Sequence, residues 1–393
     1  MPKLAALITP ERAADVVDPE TRRLLEEHFE VVWATEDHVA APSPAGNSPA
    51  AEPDTTAPST AAKPAAAAAA EPAAAAAGDA AAWSAGRAPA TGRADRPVAK
   101  PAALDAAAVP ELAKGADVLL TSWGTPRLGG ELWVGGGPKA VAHAAGTVKN
   151  LIDPGLLDQG VAVFSAGPRI AWSVGEYCLA AMLTLARRLP RFDGALRAGG
   201  WKQSTFRGHE LTGAKVGIIG ASSTARALIT LLKPFNCDLA VYDPYLTTER
   251  AADLGVRKAT LEEAATSPFL TIHVPNVPET KGMITRDLIE NLPDGAVVVN
   301  SSRGPAIDQQ ALLDHALNGR IYAALDVYDP EPPTFDPTTL AAPNLLLTPH
   351  VAGDTEEGHR ALAGYVLKDV LRWLNDGTRG PSFVDPSTWS IAA

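Results

Sequence analysis

The sequence predicts an α/β fold with two doubly wound parallel sheets, each in its own domain. Short apolar runs alternate along the chain with helix-length segments, which is typical of buried parallel strands. The chain has 393 residues. Two domains are therefore expected, because single hydrophobic cores stop growing at roughly 250–300 residues. A long apolar segment divides the runs into two series.

The expected elements follow from these runs in chain order. The first series gives strands at residues 4–8, 31–33, 117–123, 140–143 and 161–164. Segment 171–188 is apolar on most of its faces, which predicts a helix buried between the domains. The second series gives strands at residues 215–219, 238–242, 269–274, 296–300, 323–327 and 345–347. A last helix, at residues 356–375, is expected to return to the first domain.

Residues 40–102 interrupt this alternation with a segment dominated by Ala and Pro. Such a composition cannot bury enough apolar surface to offset the entropy lost on ordering, so we expect a disordered insertion. The favoured interpretation is an expanded surface loop, because the entropy of closing a loop grows slowly with its length. A tether that binds a partner is the alternative.

Composition excludes several classes of protein. The chain has 34 Lys and Arg against 45 Asp and Glu, a formal charge of −11, whereas a nucleic-acid binder would show a clustered basic face. No uncharged apolar run reaches the roughly 18 residues of a membrane span. Two cysteines, Cys178 and Cys237, are too few for a disulfide framework. We expect a cytoplasmic protein with no nucleic-acid, membrane or metal partner.

A dinucleotide-binding loop is indicated at residues 215–225, where an expected strand meets an expected helix. It reads Gly220-x-Ser222-x-x-Ala225, whereas the usual pattern carries three glycines, the third replaceable by Ala. The Cβ of Ser222 stands where the backbone would approach a pyrophosphate. The hydroxyl of Ser222 could donate to a phosphate instead, and the helix N-terminus still offers free N–H groups. An ordinary strand-to-helix turn that binds nothing is the alternative.

Asp243 strengthens the cofactor hypothesis. It follows the strand after this loop, 23 residues beyond Gly220. A carboxylate at that place accepts from ribose hydroxyls and repels a 2′-phosphate, so NAD is expected rather than NADP.

Three further segments carry ionisable residues at or beyond expected strand ends. Arg303 precedes a glycine after one strand, where its guanidinium fork can match a carboxylate. His350 can exchange a proton near neutral pH, and a carboxylate such as Glu331 can fix its tautomer. Together they suit one chemistry, in which a 2-oxo acid is held by its carboxylate, protonated on its carbonyl and reduced by a nicotinamide hydride. A surface Arg303 and a solvated Glu331 are the alternatives.

These residues and their spacing resemble the D-isomer-specific 2-hydroxyacid dehydrogenase family. The resemblance covers nearly everything outside residues 40–102 and is strongest from Gly208 to Gly353. It implies a Rossmann-type NAD domain, residues 151–353, inserted in a flavodoxin-like substrate domain, residues 1–150 and 354–393. It also implies that Arg303 grips the substrate carboxylate, that His350 is the acid/base and that Glu331 pairs with His350.

The resemblance assigns the remaining site residues. It implies cofactor contacts by Gly220, Ser222, Ser223, Thr224, Asp243, His273, Pro275 and Asp326, the last beside the nicotinamide carboxamide. The loops 120–124 and 145–147 are expected to receive the substrate carboxylate, through Ser122, Gly146 and Thr147. His273 remains a rival general acid, and His143 an indirect contributor to the substrate loops. The other histidines, His359 among them, are expected at the surface.

The resemblance implies an NAD-dependent oxidoreductase, similar to hydroxypyruvate and glyoxylate reductases, that acts on a small 2-oxo or D-2-hydroxy acid. It implies a homodimer, with helix 171–188 as the expected contact. Two alternatives stay open. One is an NAD-sensing scaffold resembling the C-terminal binding protein corepressors, which the insertion and the altered phosphate loop suggest. The other is a degenerate member that binds no cofactor.

Overall fold

The computed structural model describes residues 1–41, 102–202 and 206–391. Within these ranges the chain forms two parallel sheets, one of five strands and one of seven, which confirms the predicted α/β architecture. The disorder expected of residues 40–102 concerns a segment that lies outside the described residues except at its ends.

The first sheet has the strand order β2-β1-β3-β4-β5, which is that of flavodoxin-like sheets. Its strands are Lys3–Leu7, Glu30–Trp33, Val118–Thr121, Ala140–His143 and Ala162–Ser165, β1 to β5 in chain order. Alternate residues of a strand point to opposite faces, so Leu4 and Ala6 join one hydrophobic cluster and Ala5 and Leu7 join another. Burial on both faces explains the continuous apolar runs in the sequence.

The second sheet has the strand order β12-β11-β10-β9-β6-β7-β8, the doubly wound arrangement expected for dinucleotide binding. Its strands are Lys215–Ile219, Asp238–Tyr242, Arg257–Lys258, Phe269–Ile272, Val297–Asn300, Tyr322–Leu325 and Leu345–Leu347, β6 to β12 in chain order. Strand β8 was not predicted, because it comprises two exposed residues at the sheet edge. The other predicted strands are confirmed within a few residues.

The predicted long helix is confirmed but begins earlier, at Gly167, and ends at Ala186. Pro168 is favoured in the first turn, where its missing N–H costs nothing, and Arg188 leaves the helical path with a φ of 58°. The described α-helices are Pro10–Val16, Pro19–His28, Val109–Leu112, Gly155–Asp158, Gly167–Ala186, Leu189–Arg197, Ser223–Leu232, Thr248–Leu254, Leu261–Ala265, Arg286–Glu290, Gln309–Leu317, Pro337–Ala341, Glu356–Arg360 and Leu362–Asp376. None of them combines the length and apolar character that crossing a membrane requires.

One domain boundary differs from the expected one. Strand β5 pairs in parallel with β4, so the chain remains in the first sheet up to Ser165, and a boundary after residue 150 is too early. The last helix does return to the first domain, since Leu362, Val366 and Val370 share a hydrophobic cluster with Leu4. It is divided in two at Ala361, which the apolar pattern did not reveal.

The ends of the predicted insertion are held together. The N–H of Ala40 donates to the carbonyl of Ala103 at 2.9 Å, and the N–H of Leu104 donates to the carbonyl of Gly124 at 2.9 Å. The described residues on either side of 42–101 therefore lie close together, beside the loop that follows β3, and the entropy of closing a loop between them grows slowly with its length.

Candidate active site

The predicted catalytic residues follow three neighbouring strands of the second sheet. Arg303 comes after β10, Asp326 after β11 and His350 after β12, and these strands are adjacent. Because the carboxyl ends of parallel strands meet at one edge of a sheet, the three residues lie at the same edge. Glu331 lies in the longer connection that follows β11.

His350 and Glu331 form a hydrogen-bonded pair. The Nδ1 of His350 lies 2.9 Å from Oε2 of Glu331, and the side chains are 55% and 39% exposed. The other carboxylate oxygen, Oε1, accepts from the backbone N–H of Tyr328 at 2.9 Å. Glu331 is therefore oriented from both of its oxygens, and this bond directs Nε2 of the imidazole away from the carboxylate.

Asp326 holds the loop that carries His350, which we call the His350 loop (residues 348–352). Its Oδ1 accepts from Thr348 Oγ1 at 2.6 Å and from the N–H of Val351 at 2.8 Å, and its Oδ2 accepts from the N–H of Ala352 at 2.8 Å. His350 itself has a φ of 56°, a conformation that costs a non-glycine residue about 1–3 kcal/mol. These bonds to a buried carboxylate stabilise that conformation.

The bonds to the loop give Asp326 a role that the resemblance did not imply. A carboxylate offers about four acceptor positions, so one remains for the nicotinamide amide that was expected there. That contact stays a prediction.

Tyr177 ties the interdomain helix Gly167–Ala186 to the same loop. Its hydroxyl lies 2.7 Å from Thr348 Oγ1. Since an ionised carboxylate only accepts, Thr348 donates to Asp326 and must accept from Tyr177. Burial raises the pKa of the Tyr177 phenol, so it keeps the proton that this bond needs.

Arg303 stands beside Glu331. Burial lowers the pKa of the Arg303 guanidinium and the charge of Glu331 opposes this, so the two side chains are near enough to interact. A Cβ added to Gly304 would lie 2.0 Å from the carbonyl oxygen of Tyr328. Only glycine allows this close approach, which brings the backbone after β10 against the connection after β11.

The substrate loops lie at the ends of β3 and β4. Ser122 is 1% exposed; its hydroxyl donates to the carbonyl of Ala144 at 2.8 Å and its N–H donates to Thr125 Oγ1 at 3.1 Å. Both polar groups serve the fold, so the expected direct contact of Ser122 with a carboxylate does not fit this geometry. Gly146 and Thr147 are partly exposed in the neighbouring loop.

His143 and Lys149 lie before and after the second of these loops in the chain. His143 is buried with Nδ1 3.0 Å from Thr121 Oγ1; burial lowers its pKa to about 4, and a hydrogen bond to the Thr147 backbone acts against that. His143 is thus a neutral support, as one alternative expected. Lys149 was not predicted. Burial and then the charge of Arg303 lower its pKa, so the charge of an arginine after β10 reaches a cation of the first domain.

The predicted dinucleotide loop has the shape of a phosphate cradle. Gly220 has a φ of 93°, and a Cβ there would lie 2.5 Å from the carbonyl oxygen of His273, so only glycine fits. Ser222 has a φ of −62°, which any residue adopts. Its side chain accepts from the N–H of Ala225 at 3.4 Å and caps the helix Ser223–Leu232. Ser223 and Thr224 are the first two residues of that helix.

Asp243 braces the same cradle. Its Oδ2 accepts from the N–H of Ala221 at 2.7 Å and its Oδ1 accepts from the N–H of Tyr245 at 2.7 Å. The carboxylate therefore lies against the loop expected to hold a pyrophosphate, and each oxygen retains a lone pair for a ribose hydroxyl. Gly220 has no room for a Cβ, and the buried Nδ1 of His273 has no hydrogen-bond partner among the described residues. Both features make this edge of the sheet suited to a dinucleotide.

One ring nitrogen of the buried His273 is left unpaired in the part of the chain that the structure describes. Its Nε2 lies 2.9 Å from Thr271 Oγ1, while Nδ1 is buried without a hydrogen-bond partner among the described residues. Burial lowers the pKa of His273 to about 3. It is neutral near pH 7, which disfavours it as a general acid. Pro275 follows two residues later, and its carbonyl accepts from Thr280 Oγ1 at 2.7 Å.

A cluster centred on Trp123 was not predicted at all. His359, expected at the surface, is largely buried and stacks on the indole of Trp123 with ring centroids 5.1 Å apart. No local pattern in the sequence points to this contact, because His359 and its partner Asp15 are 344 positions apart.

Comparison with known proteins shows which family and which fold the chain is similar to. The family model described as D-isomer specific 2-hydroxyacid dehydrogenase, NAD binding domain, matches residues 179–352. D-3-phosphoglycerate dehydrogenase of Archaeoglobus fulgidus is 32% identical over 235 residues, covering 59% of this chain and 45% of that protein. Hydroxypyruvate reductase of Thermotoga maritima is 29% identical over 262 residues, covering 66% of this chain and 85% of that protein.

The chain spans about half the length of the phosphoglycerate dehydrogenases that it matches. Among solved structures, a phosphoglycerate oxidoreductase from Rhizobium etli superposes with a TM-score of 0.70 at 19% identity, covering 98% of this chain and 99% of that one. At such low identity the likeness concerns the fold alone.

Proposed function

The chain belongs to the D-isomer specific 2-hydroxyacid dehydrogenase family, and we propose that it is an NAD-dependent oxidoreductase that interconverts a small 2-oxo acid and its D-2-hydroxy acid. The pairing of His350 with Glu331 at 2.9 Å, beside the guanidinium of Arg303, carries the proposal. An imidazole held by a carboxylate next to an anion fork suits the protonation of a ketone whose neighbouring carboxylate is bound.

NAD(H) fits the cradle at the carboxyl ends of β6 and β7. Gly220 and the N-terminus of helix Ser223–Leu232 would hold the pyrophosphate, with Ser222 donating its hydroxyl, and Asp243 would accept from the ribose hydroxyls. When bound, NADH supplies the hydride that reduces C2 of the oxo acid.

Arg303 holds the substrate carboxylate and carbonyl through two of its five N–H donors, assisted by backbone N–H groups of the loops after β3 and β4. His350, protonated, donates the Nε2 proton to the carbonyl oxygen while C2 is reduced, and takes the hydroxyl proton in the reverse direction. Reduction thus consumes one proton and one hydride. The carboxylate of Glu331 keeps the Nδ1–H in place and stabilises the imidazolium.

The proposed substrate is a small 2-oxo acid. Hydroxypyruvate, the compound in the name of the Thermotoga maritima relative, belongs to this class. We also propose a homodimer. Trp172, Leu189 and Leu196 are 42%, 52% and 59% exposed along and just after the interdomain helix, and a second copy of the chain would cover them. The expected cytoplasmic location stays a prediction.

The test uses the purified full chain with NADH or NADPH and a panel of glyoxylate, hydroxypyruvate and larger 2-oxo acids. The expected result is NADH oxidation with at least one acid and, for every acid reduced other than glyoxylate, whose product is achiral, a product of D configuration by chiral chromatography. An L product, or no turnover with either nicotinamide, would refute the proposal. Tight NADH binding without turnover would favour the scaffold alternative.

A further inference from the structure

The loop after β3 carries an aromatic side chain at the carboxyl edge of the first sheet. Trp123 follows Ser122, at the edge where both substrate loops end, and is 37% exposed. His359 stacks on its indole with an interplanar angle of 28°, and the guanidinium carbon of Arg12 lies 5.4 Å from the ring centroid. We call Arg12, Asp15, Trp123, Asp354 and His359 the indole cluster. These contacts fix the orientation of the indole.

The polar members of the indole cluster are paired with one another. Nδ1 of His359 lies 2.9 Å from Asp15 Oδ2, and Nε2 lies 3.2 Å from Asp354 Oδ1. Arg12 forms an ion pair with the same Asp15. A second anionic group on a ligand would meet two carboxylates here and would have to displace an existing pair. The surface left for a ligand is the indole.

The indole cluster is joined to the His350 loop. Asp354 donates its N–H to the carbonyl of Val351 at 2.9 Å, within four residues of His350. A Cβ on Gly353 would lie 2.8 Å from Ile170, and one on Gly146 would lie 3.8 Å from the same side chain. The segment after the His350 loop and the loop after β4 therefore both approach Ile170, and Trp123 is linked to that segment through the contacts of His359 with Asp354.

We propose that Trp123 determines substrate specificity, its indole forming the wall against which the group at C3 of the 2-oxo acid packs. This inference rests on the proposed function. It assigns the substrate to 2-oxo acids whose C3 group is apolar or aromatic, rather than to those that carry a phosphate or a second carboxylate. Trp123 acts on binding and orientation and takes no part in proton or hydride transfer.

The test compares kcat/KM for phenylpyruvate, 2-oxoisocaproate, glyoxylate and phosphohydroxypyruvate in the wild-type chain and in Trp123→Ala. Glyoxylate has no C3 and therefore reports damage to the catalytic groups alone. Trp123→Ala is expected to lower kcat/KM for the two apolar acids about tenfold or more, mainly through KM, while the value for glyoxylate stays the same. Trp123→Phe, which retains a flat ring, should keep most of the preference.

Trp201→Ala is the matched control, because it removes an indole that is 78% exposed and is absent from the indole cluster, and it should change none of the four values. An equal loss for glyoxylate and phenylpyruvate in both Trp123 variants would overturn the proposal, as would a wild-type preference for phosphohydroxypyruvate. A wild-type chain that reduces none of the four acids would instead count against the proposed function itself.

Discussion

Replacing Asp326 by Asn should disable the enzyme while leaving it folded. The buried carboxylate accepts three hydrogen bonds from the His350 loop, and an amide of the same size turns one acceptor into a donor facing another donor. Each hydrogen bond to a charged group contributes about 1.5–3 kcal/mol. The φ of 56° at His350 further favours a movement of the freed loop, since relaxing the backbone of such a residue lowers its free energy by about 1–3 kcal/mol.

A loss of about 1.5–3 kcal/mol in the positioning of His350 corresponds to a fall in kcat of about 10- to 100-fold, because each tenfold in rate is about 1.4 kcal/mol. The assay is kcat by NADH absorbance together with the Kd of NADH by fluorescence and the midpoint of thermal unfolding. Asp329→Asn, an exposed acid in the same connection, is the control and should behave like the wild type. Unchanged kcat in Asp326→Asn, with the fold intact, would refute the reasoning.

Three further predictions concern the cradle and the buried histidines. Ser222→Ala should weaken NADH binding and lower the unfolding midpoint, because it removes a helix cap worth about 0.5–2 kcal/mol as well as the phosphate donor; titration calorimetry would show the opposite if the hydroxyl hinders the pyrophosphate. Asp243→Ala should raise the KM for NADH and reduce the preference for NADH over NADPH, whereas an unchanged ratio would exclude a ribose contact. Burial lowers the pKa values of His143 and His273 from 6.5 to about 4 and about 3, so between these values and 6.5 the unfolded chain binds more protons than the folded one. Urea unfolding should therefore show stability falling from pH 6.5 to 5 by about 1.4 kcal/mol per pH unit for each histidine, and a flat profile would contradict neutral burial.

The fold could be predicted largely from the sequence because strands buried on both faces leave a continuous apolar run. Tyr322–Leu325 and Val297–Asn300 lie inside runs that stand out in any window. Strand Arg257–Lys258 could not be found, since an exposed edge strand of two polar residues has no such signal. The interdomain helix begins early, at Gly167 and Pro168. In the sequence alone a Gly-Pro pair is equally compatible with a turn.

The candidate site was predictable where chemistry-bearing side chains follow a strand end, as Arg303 and His350 do. What a side chain contacts was not predictable. Asp326 was expected beside the nicotinamide, which stays a prediction, but its hydrogen bonds to the His350 loop were not foreseen. Ser122 was expected to face the substrate, yet it is bonded beneath the loop. These contacts depend on how distant segments pack, as does the stacking of His359 on Trp123.

The most direct test of the central claim is the rate of hydride transfer in a single turnover, compared between the wild type and His350→Gln at saturating NADH and oxo acid. We expect a fall of about 10²–10⁴-fold, the contribution of a positioned general acid, with the Kd of NADH unchanged. Equal rates in the two proteins would contradict the assignment of His350 as the proton donor and, with it, the proposed mechanism.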